Sequence, residues 1–409
     1  MKKIKFFIVD DDITFIKLMI KFLKSENFIV SYTTSSTEAF SKIIEEEPDC
    51  VIMDMMMPEI DGLELCKRLR EIPSLFKTKI IFVTAKTYEF DKKRAISFGA
   101  DAYIVKPVDP KTIVEQILYV IEDKVELRYW GIKGTLPIPG KNTVRYGGNT
   151  PCVSIQFPRG NFFIFDAGTG IKSLSDYLMS NKRMCQLDAK IFISHPHWDH
   201  INALQFFVPL FINGNEFEIC GPSQGDLSMR EIISGQMSGV YYPIKIKDFA
   251  ARVYFRDLKE QMFQIDDIII RTMLLNHPGY CLGYRMEYKG KLICYITDNE
   301  LFPATSPYYN EIYLNKLINF VRDADVLITD CTYSDAQYPA KITWGHSSVG
   351  QVVDFAHRAN VKILHLFHHD IDDNDDSIDS KLETARNLLE KMKSNTICDA
   401  PAERSCYKI

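Results

Sequence analysis

The chain of 409 residues has no long uncharged apolar run. A membrane-spanning helix needs about 20 mostly apolar residues, so no membrane span is expected. The first apolar stretch, in MKKIKFFIVDDD, is short and turns acidic at once, which is not typical of a secretory signal peptide. The sequence also lacks an excess of basic residues, since its formal net charge is −5. This balance argues against a protein whose main task is to hold long nucleic acid.

The ten cysteines are scattered singly, and no C-x-x-C pair occurs. This pattern indicates reduced thiols in the cytoplasm rather than a disulfide framework. A chain of 409 residues is also too long for one ordinary hydrophobic core. The sequence therefore predicts a cytoplasmic protein of two domains.

Residues 1–122 alternate short apolar runs with amphipathic stretches. Runs such as KIIFVTA are almost continuously apolar, as in parallel strands that are covered on both faces. Stretches such as GLELCKRLREI lie between these runs and predict helices. The alternation predicts a doubly wound α/β domain, whose ligand site lies at the carboxyl ends of the strands.

Polar side chains occupy those predicted strand ends. Asp10 and Asp11 follow the first strand, and the third, fourth and fifth strands end at Asp54, Thr84 and Lys106. Mg²⁺ takes oxygen ligands, and a metal between carboxylates lets an incoming phosphoryl group approach without repulsion. The lysine can neutralise the transferred oxygens. The set therefore predicts a site for Mg²⁺ and a phosphoryl group.

The motifs VDDD, DMMMPEIDGLEL, VTA and YIVKP occur in this order, and residues 1–122 resemble a two-component response regulator receiver domain. The resemblance implies a flavodoxin-like parallel sheet of order 2-1-3-4-5, phosphorylation of Asp54 and a cognate sensor histidine kinase as partner. The Mg²⁺ ligands that it implies are Asp10, Asp11, Asp54 and the backbone carbonyl of Met56. The switch residues that it implies are Thr84, Tyr103 and Lys106.

The segment after this domain has apolar residues at helical spacing, and no glycine or proline occurs from Ile113 until Gly131. We therefore expect a helical linker over 123–130, followed by a second domain over 131–409. Such a linker would couple the domains more stiffly than a flexible tether does.

The second segment mixes strand-like runs, glycine-rich turns and later helical stretches, which predicts a layered α+β sandwich. Within it, FISHPHWDH places three histidines and an aspartate at the end of a predicted buried strand. His195 and His197 are two residues apart, so both could reach one ion from an extended segment. Asp199 and His200 could reach a neighbouring ion. Imidazole and carboxylate ligands suit Zn²⁺, Mn²⁺ or Fe.

Further candidate ligands lie at later strand ends: His277 in LLNHPGY, Asp298 in CYITDNE and His368 in ILHLFHHD. Strand alternation allows one of His368 and His369 to face the ions, and we favour His368. We expect His365 to be structural. Seven ligands shared between two ions leave room for a solvent molecule that becomes a nucleophile near neutral pH.

The H-x-H-x-D-H signature resembles the metallo-β-lactamase superfamily, and RYGGNT, NHPGYCLGYR, YITDNE and WGHSS resemble its ribonuclease-Z-like and cyclic-nucleotide-phosphodiesterase-like hydrolases. The resemblance implies an αββα sandwich. The ligands that it assigns to one ion are His195, His197 and His277. Those of the other are Asp199, His200 and His368, and the bridging ligand is Asp298. Asp330 and His346 match a pair beside the metals in phosphoesterase members, where His346 would stabilise the transition state or protonate the leaving oxygen.

These expectations combine into a response regulator whose output is a metal-dependent hydrolase. Two cations and a moderately acidic chain favour a small phosphodiester, such as a cyclic nucleotide or dinucleotide. The residues expected to carry catalysis are Asp199, His346 and Asp330. No basic recognition helix follows the first domain, so sequence-specific DNA binding is not expected, and a homodimer is possible. Two alternatives stay open: a lactone, thioester or β-lactam hydrolase, and a non-catalytic di-iron sensor of oxygen.

Overall fold

The computed structural model describes residues 3–24, 28–109, 112–180 and 187–409. The chain divides into two compact units. The first runs to Val125 and includes Gln156–Asn161, and the second comprises Glu126–Ile155 and Phe162–Ile409. Across the described ranges, every helix is too short or too polar to cross a membrane.

The first unit is a parallel sheet with helices on both faces. Its strands are β1 (Lys5–Val9), β2 (Ile29–Thr33), β3 (Cys50–Met53), β4 (Lys79–Thr84) and β5 (Ala102–Val105). Its helices are α1 (Ile13–Lys24), α2 (Ser36–Glu46), α3 (Gly62–Arg70), α4 (Glu89–Ser97) and α5 (Ile113–Glu122). The strand order β2-β1-β3-β4-β5 confirms the predicted flavodoxin-like topology.

Successive residues of the central strands enter opposite cores of this unit. Phe7 and Val9 belong to one buried cluster, whereas Phe6 and Ile8 belong to the other. Because side chains alternate across a strand, both faces of the sheet need apolar cover, which explains why these strands read as nearly continuous apolar runs.

The helical linker predicted over 123–130 is not present in the structure. Helix α5 ends at Glu122 because Asp123 adopts a left-handed conformation with φ 51°. Residues Glu126–Gly131 instead form strand β6. A domain boundary close to residue 122 remains a prediction, but the joint is not a continuous helix.

The second unit contains two mixed sheets. The strands of the first sheet are β6, β7 (Cys152–Gln156), β8 (Phe162–Phe165), β9 (Asp188–Phe192), β10 (Glu216–Pro222), β11 (Arg252–Leu258) and β19 (Cys406–Lys408). The strands of the second are β12 (Met262–Ile265), β13 (Ile268–Leu274), β14 (Leu282–Tyr288), β15 (Lys291–Ile296), β16 (Val326–Asp330), β17 (Ile363–Phe367) and β18 (Ile397–Asp399). The helices are α6 (Gly170–Ser180), α7 (Trp198–Ile201), α8 (Met229–Gln236), α9 (Glu311–Val321), α10 (Val349–Arg358) and α11 (Asp375–Lys391).

Aromatic side chains pack between the two sheets. The rings of Phe165 and Phe192, which belong to the first sheet, lie 5.5 and 5.3 Å from the ring of Tyr284 in the second. The hydroxyl of Tyr284 donates a hydrogen bond to the carbonyl of Ile193 at 2.6 Å. Helices α6 and α8 contact the first sheet, and α10 and α11 contact the second. This order of layers confirms the predicted αββα sandwich.

A buried lysine ties helix α11 to the chain that follows β16. The Nζ atom of Lys381 donates hydrogen bonds to the carbonyls of Cys331 and Thr332 at 2.8 and 3.1 Å and to Asp373 Oδ2 at 2.5 Å. Both charged side chains of this pair are almost completely buried. Water therefore cannot replace either partner.

Replacing Lys381 with methionine should leave the Asp373 carboxylate buried without its cation, which costs about 3–5 kcal/mol of unfolding free energy. Urea denaturation followed by far-ultraviolet circular dichroism should show a lower midpoint for the transition of the second unit. Lys391→Met is the matched control, since Lys391 is an exposed residue of the same helix. Equal midpoints for the two variants would contradict a stabilising role for the buried pair.

Candidate functional site

Three charged side chains meet at the carboxyl ends of the strands in the first unit. Lys106 Nζ lies 2.8 Å from Asp10 Oδ2 and 3.1 Å from Asp54 Oδ1. Burial raises the pKa of Asp10, although the hydrogen bond from Lys106 opposes this shift. Asp11 is exposed beside them. Two buried carboxylates that share one lysine favour the binding of a further cation.

The other predicted receiver residues lie at the same edge of the sheet. Thr84 is buried at the end of β4. Tyr103 donates a hydrogen bond from its hydroxyl to the carbonyl of Lys86 at 3.0 Å. The backbone N–H of Met56 donates to Asp54 Oδ2 at 2.6 Å. The structure therefore brings these residues together, while their roles in phosphorylation remain predictions.

The second unit brings together a first group of potential metal ligands at strand ends. Its members are His195, His197, His277 and Asp298. His197 Nδ1 lies 3.1 Å from His277 Nε2, and Asp298 Oδ2 lies 3.5 Å from His195 Nε2 and 3.7 Å from His277 Nε2. Ligand atoms around one tetrahedral Zn²⁺ lie about 3.4 Å apart. The spacing therefore suits one shared ion.

A second group consists of Asp199, His200 and His368. Asp199 Oδ2 lies 3.2 Å from the Nε2 atoms of both histidines. Asp298 Oδ1 lies 3.3 Å from His200 Nε2 and 3.1 Å from His368 Nε2. Asp298 therefore presents Oδ2 to the first group and Oδ1 to the second, as a bridging ligand would.

The electrostatics of the two groups also suit metal ions. Within the described part of the chain, the buried Nε2 atoms of His195 and His200 make no hydrogen bond of suitable geometry, although carboxylate oxygens lie 3.2 to 3.5 Å away. Such an arrangement is costly for a buried polar atom. Burial keeps the pKa of His195 well below its usual value, so the ring is neutral, as a ligand must be. Burial acts in the same direction on His200, but Asp199 and Asp298 raise its pKa well above normal. The site thus favours positive charge at this ring, which a metal ion would supply.

Asp166 supports this cluster, and the sequence interpretation did not assign it. It is fully buried, and its carboxylate accepts hydrogen bonds from Ser194 Oγ at 2.9 Å and Tyr295 Oη at 2.7 Å. Its Oδ2 also lies 2.8 Å from His200 Nδ1 and so fixes the orientation of that ring. A signal was available, since an aspartate ends the apolar run FFIF before a glycine turn.

Glu300 is a second buried carboxylate that the sequence interpretation did not assign. It accepts hydrogen bonds from the backbone N–H groups of Thr343 and Gly345 at 2.9 and 2.8 Å. The carbonyl of Gly345 lies 3.0 Å from His277 Nδ1. Glu300 thus holds the loop that orients a candidate ligand and precedes His346. Nothing in its local sequence distinguishes it from an exposed loop residue.

His346 and Asp330 form a pair beside the ligand groups. His346 Nδ1 lies 2.9 Å from Asp330 Oδ2, and the His346 ring stacks on that of His368 at 5.0 Å. Burial would lower the pKa of His346, but the Asp330 carboxylate raises it to about 9. Because Nδ1 faces Asp330, Nε2 remains available for a substrate. Asp330 thus favours the protonated form of the ring.

The structure distinguishes the three histidines of the segment after residue 364. His368 joins the second ligand group, whereas His369 is buried outside both groups. His365 Nδ1 lies 2.6 Å from the hydroxyl of Tyr129, in keeping with a structural role. Gly134 packs against the His368 ring, and an added Cβ there would lie 2.2 Å from His368 Cε1.

Gly134→Ala should displace the His368 ring because the added methyl group would overlap it. We expect the metal content of purified protein, measured by plasma mass spectrometry, to fall from two ions per chain towards one. Gly140→Ala is the matched control, since a Cβ at Gly140 meets no atom within 4 Å. Full metal content in Gly134→Ala would contradict the assignment of His368 as a ligand.

Comparisons with known proteins give a match in each half of the chain. The response regulator receiver domain model matches residues 6–118, and the beta-lactamase superfamily domain model matches residues 161–369. One curated relative is the alkaline phosphatase synthesis transcriptional regulatory protein PhoP of Bacillus subtilis (strain 168). It is 33% identical to this chain over 117 residues. These cover 29% of this chain and 48% of PhoP. The chain spans about half the length of such curated relatives.

Some solved structures resemble the larger, C-terminal part of the chain and others resemble the N-terminal part. The metallo-beta-lactamase fold protein YhfI from Bacillus subtilis is 18% identical with a TM-score of 0.49, covering 70% of this chain and 100% of YhfI. A putative response regulator from Chloroflexus aurantiacus J-10-fl is 31% identical with a TM-score of 0.29, covering 30% of this chain and 99% of the other.

Proposed function

Because the chain belongs to the beta-lactamase superfamily and carries a response regulator receiver domain, we propose that it is a response regulator whose output is a metal-dependent hydrolase of small phosphodiesters. The observation that carries the proposal is the His346–Asp330 pair beside two groups of ligand atoms that share Asp298. Such a pair supplies a proton donor next to a site for two cations.

Each of the two ligand groups would hold one metal ion. The first ion would be held by His195, His197 and His277, and the second by Asp199, His200 and His368, with Asp298 shared. When bound, two divalent cations would supply a nucleophile from solvent and would stabilise the attacking and leaving oxygens of an in-line displacement. The mixture of imidazole and carboxylate ligands suits Zn²⁺, and Mn²⁺ or Fe would also fit.

His346 acts on the leaving oxygen in this proposal. Asp330 accepts the Nδ1–H of the ring, so the second proton resides on Nε2 and can be donated. Because the Asp330 carboxylate raises the pKa of this ring, its charged form can stabilise negative charge that develops on the phosphodiester. Asp330 positions the ring and does not contact the substrate.

The receiver domain supplies the control of this activity. A sensor histidine kinase would phosphorylate Asp54, with Mg²⁺ held by Asp10, Asp11, Asp54 and the carbonyl of Met56. Lys106, which already contacts Asp54, would neutralise the phosphoryl oxygens, and Thr84 and Tyr103 would respond to them. The phosphoryl group would thus bias a two-state domain that regulates the hydrolase.

His346→Ala should lower kcat about 100-fold or more on a cyclic nucleotide, whose leaving alkoxide needs a proton. The loss should be smaller on bis-p-nitrophenyl phosphate, because nitrophenolate leaves without protonation. His357→Ala, at an exposed position of α10, is the matched control. Metal content should be the same in all three proteins. Equal losses on both substrates would contradict a proton-donating role, and a wild type that cleaves only lactones, thioesters or β-lactams would overturn the proposed reaction.

Asp54→Asn should abolish the response of the hydrolase to acetyl phosphate and to beryllofluoride, since the asparagine amide cannot accept a phosphoryl group. Rates on bis-p-nitrophenyl phosphate should be measured with and without each reagent. Acid-labile phosphate on the wild type provides the control for phosphorylation. If the variant responded like the wild type, Asp54 would not be the controlling residue.

A further inference from the structure

The loop that Glu300 holds also carries an exposed aromatic side chain and a cation. Trp344 is 56% exposed, and Lys341 Nζ lies 4.0 Å from the centre of its ring system. The same Nζ atom lies 5.9 Å from the ring centre of Tyr333. The Tyr333 ring lies 6.0 Å from the ring of His346. A continuous set of contacts therefore joins this lysine and tryptophan to the proposed proton donor.

Trp344 and Trp198 are exposed, by 56% and 83%, whereas the third tryptophan, Trp130, is buried. Trp130 is 2% exposed, and its Nε1 donates a hydrogen bond to Ser154 Oγ at 2.8 Å. Tryptophan is highly buried on average because its large apolar ring gains from leaving water. An indole that stays in solvent on a proposed active-site loop is therefore suited to contact a ligand.

The backbone fixes this indole close to the candidate centre. The N–H of Trp344 donates to the carbonyl of Lys341 at 3.1 Å, which closes a turn between the two residues. Thr343 and Gly345 on either side have φ values of 74° and 86° and are held by Glu300. The Cα atom of Trp344 is within about 8 Å of that of His346, since only two peptide steps separate them. The indole is thus attached to a constrained segment.

We propose that Trp344 and Lys341 form a nucleotide-recognition element, in which the open face of the indole stacks on a nucleobase and Lys341 attracts a phosphate of the same substrate. Base stacking on aromatic side chains tolerates any base, because every base has a π-face, and a nearby cation adds attraction for phosphate. The proposal rests on the proposed phosphodiesterase function and narrows its substrates to nucleotides with an unpaired base. Neither residue takes part in bond cleavage.

Two esters with the same leaving group test this inference. Thymidine 5′-(p-nitrophenyl phosphate) carries a base, and ethyl p-nitrophenyl phosphate does not. We expect the wild type to prefer the nucleoside ester by about tenfold or more in kcat/KM. Trp344→Ala should remove most of this preference through KM, with the rate on the ethyl ester unchanged within about twofold. Trp344→Phe should restore most of the preference, since its ring also stacks.

Two further measurements keep the test independent of folding and of catalysis. Metal content should be equal in wild type and variants. Trp198 is also exposed, so it is first replaced by phenylalanine. Thymidine 5′-monophosphate should quench the tryptophan fluorescence of Trp198→Phe but not that of Trp198→Phe/Trp344→Ala. Tyr254→Ala, which removes another exposed aromatic ring on β11, should behave as the wild type.

The outcomes separate the two proposals. A wild type that cleaves both esters without preference, or a Trp344→Ala variant that loses activity equally on both, would overturn the recognition element. Quenching that survives in Trp198→Phe/Trp344→Ala would do the same. A metal-loaded wild type that cleaves neither ester would overturn the proposed phosphodiesterase function, while the quenching measurement would still report on base binding.

Discussion

The buried carboxylate of Asp298 is the constraint on which the second unit's site depends. One oxygen faces the first group of histidines and the other faces the second group, at 3.1 to 3.7 Å from the nearest ring nitrogens. A carboxylate that is 2% exposed is unfavourable unless cations compensate it. The surrounding imidazoles, two of them with unpaired buried nitrogens, complete an arrangement that bound cations would stabilise.

The fold maintains this arrangement at a conformational cost. Asp166, Asp298 and His368 have φ values of 59°, 43° and 55°, which non-glycine residues seldom adopt. Such conformations persist when the surrounding structure determines them, and they concentrate at functional sites. Buried hydrogen bonds hold Asp166 in its conformation. The hydroxyl of Thr332 donates a hydrogen bond to the carbonyl of His368 at 2.7 Å and holds that residue in the same way. Buried contacts of the sandwich therefore hold Asp166 and His368 in these conformations.

Sequence patterns predicted those features that depend on residues close together in the chain. The order of strands and helices in the first unit follows from apolar runs, and the close spacing of His195, His197 and His200 led directly to the ligand groups. The roles of the buried carboxylates Asp166 and Glu300 were not predicted. Their contacts join residues that are distant in sequence. The linker after α5 was mispredicted because apolar residues at helical spacing do not reveal the left-handed Asp123 that ends the helix. His368 could be preferred to His369 from strand alternation, but only the fold places its ring.

Two neighbouring transition-metal ions should lie on either side of Asp298, and crystallographic anomalous scattering would detect them. Crystals of natively purified protein, with data collected on both sides of the zinc, iron and manganese absorption edges, should show two anomalous peaks at this carboxylate. One peak should adjoin His195, His197 and His277, and the other should adjoin Asp199, His200 and His368. Active protein whose crystals show no anomalous peak at these residues would show that Asp298 does not bridge two metal ions.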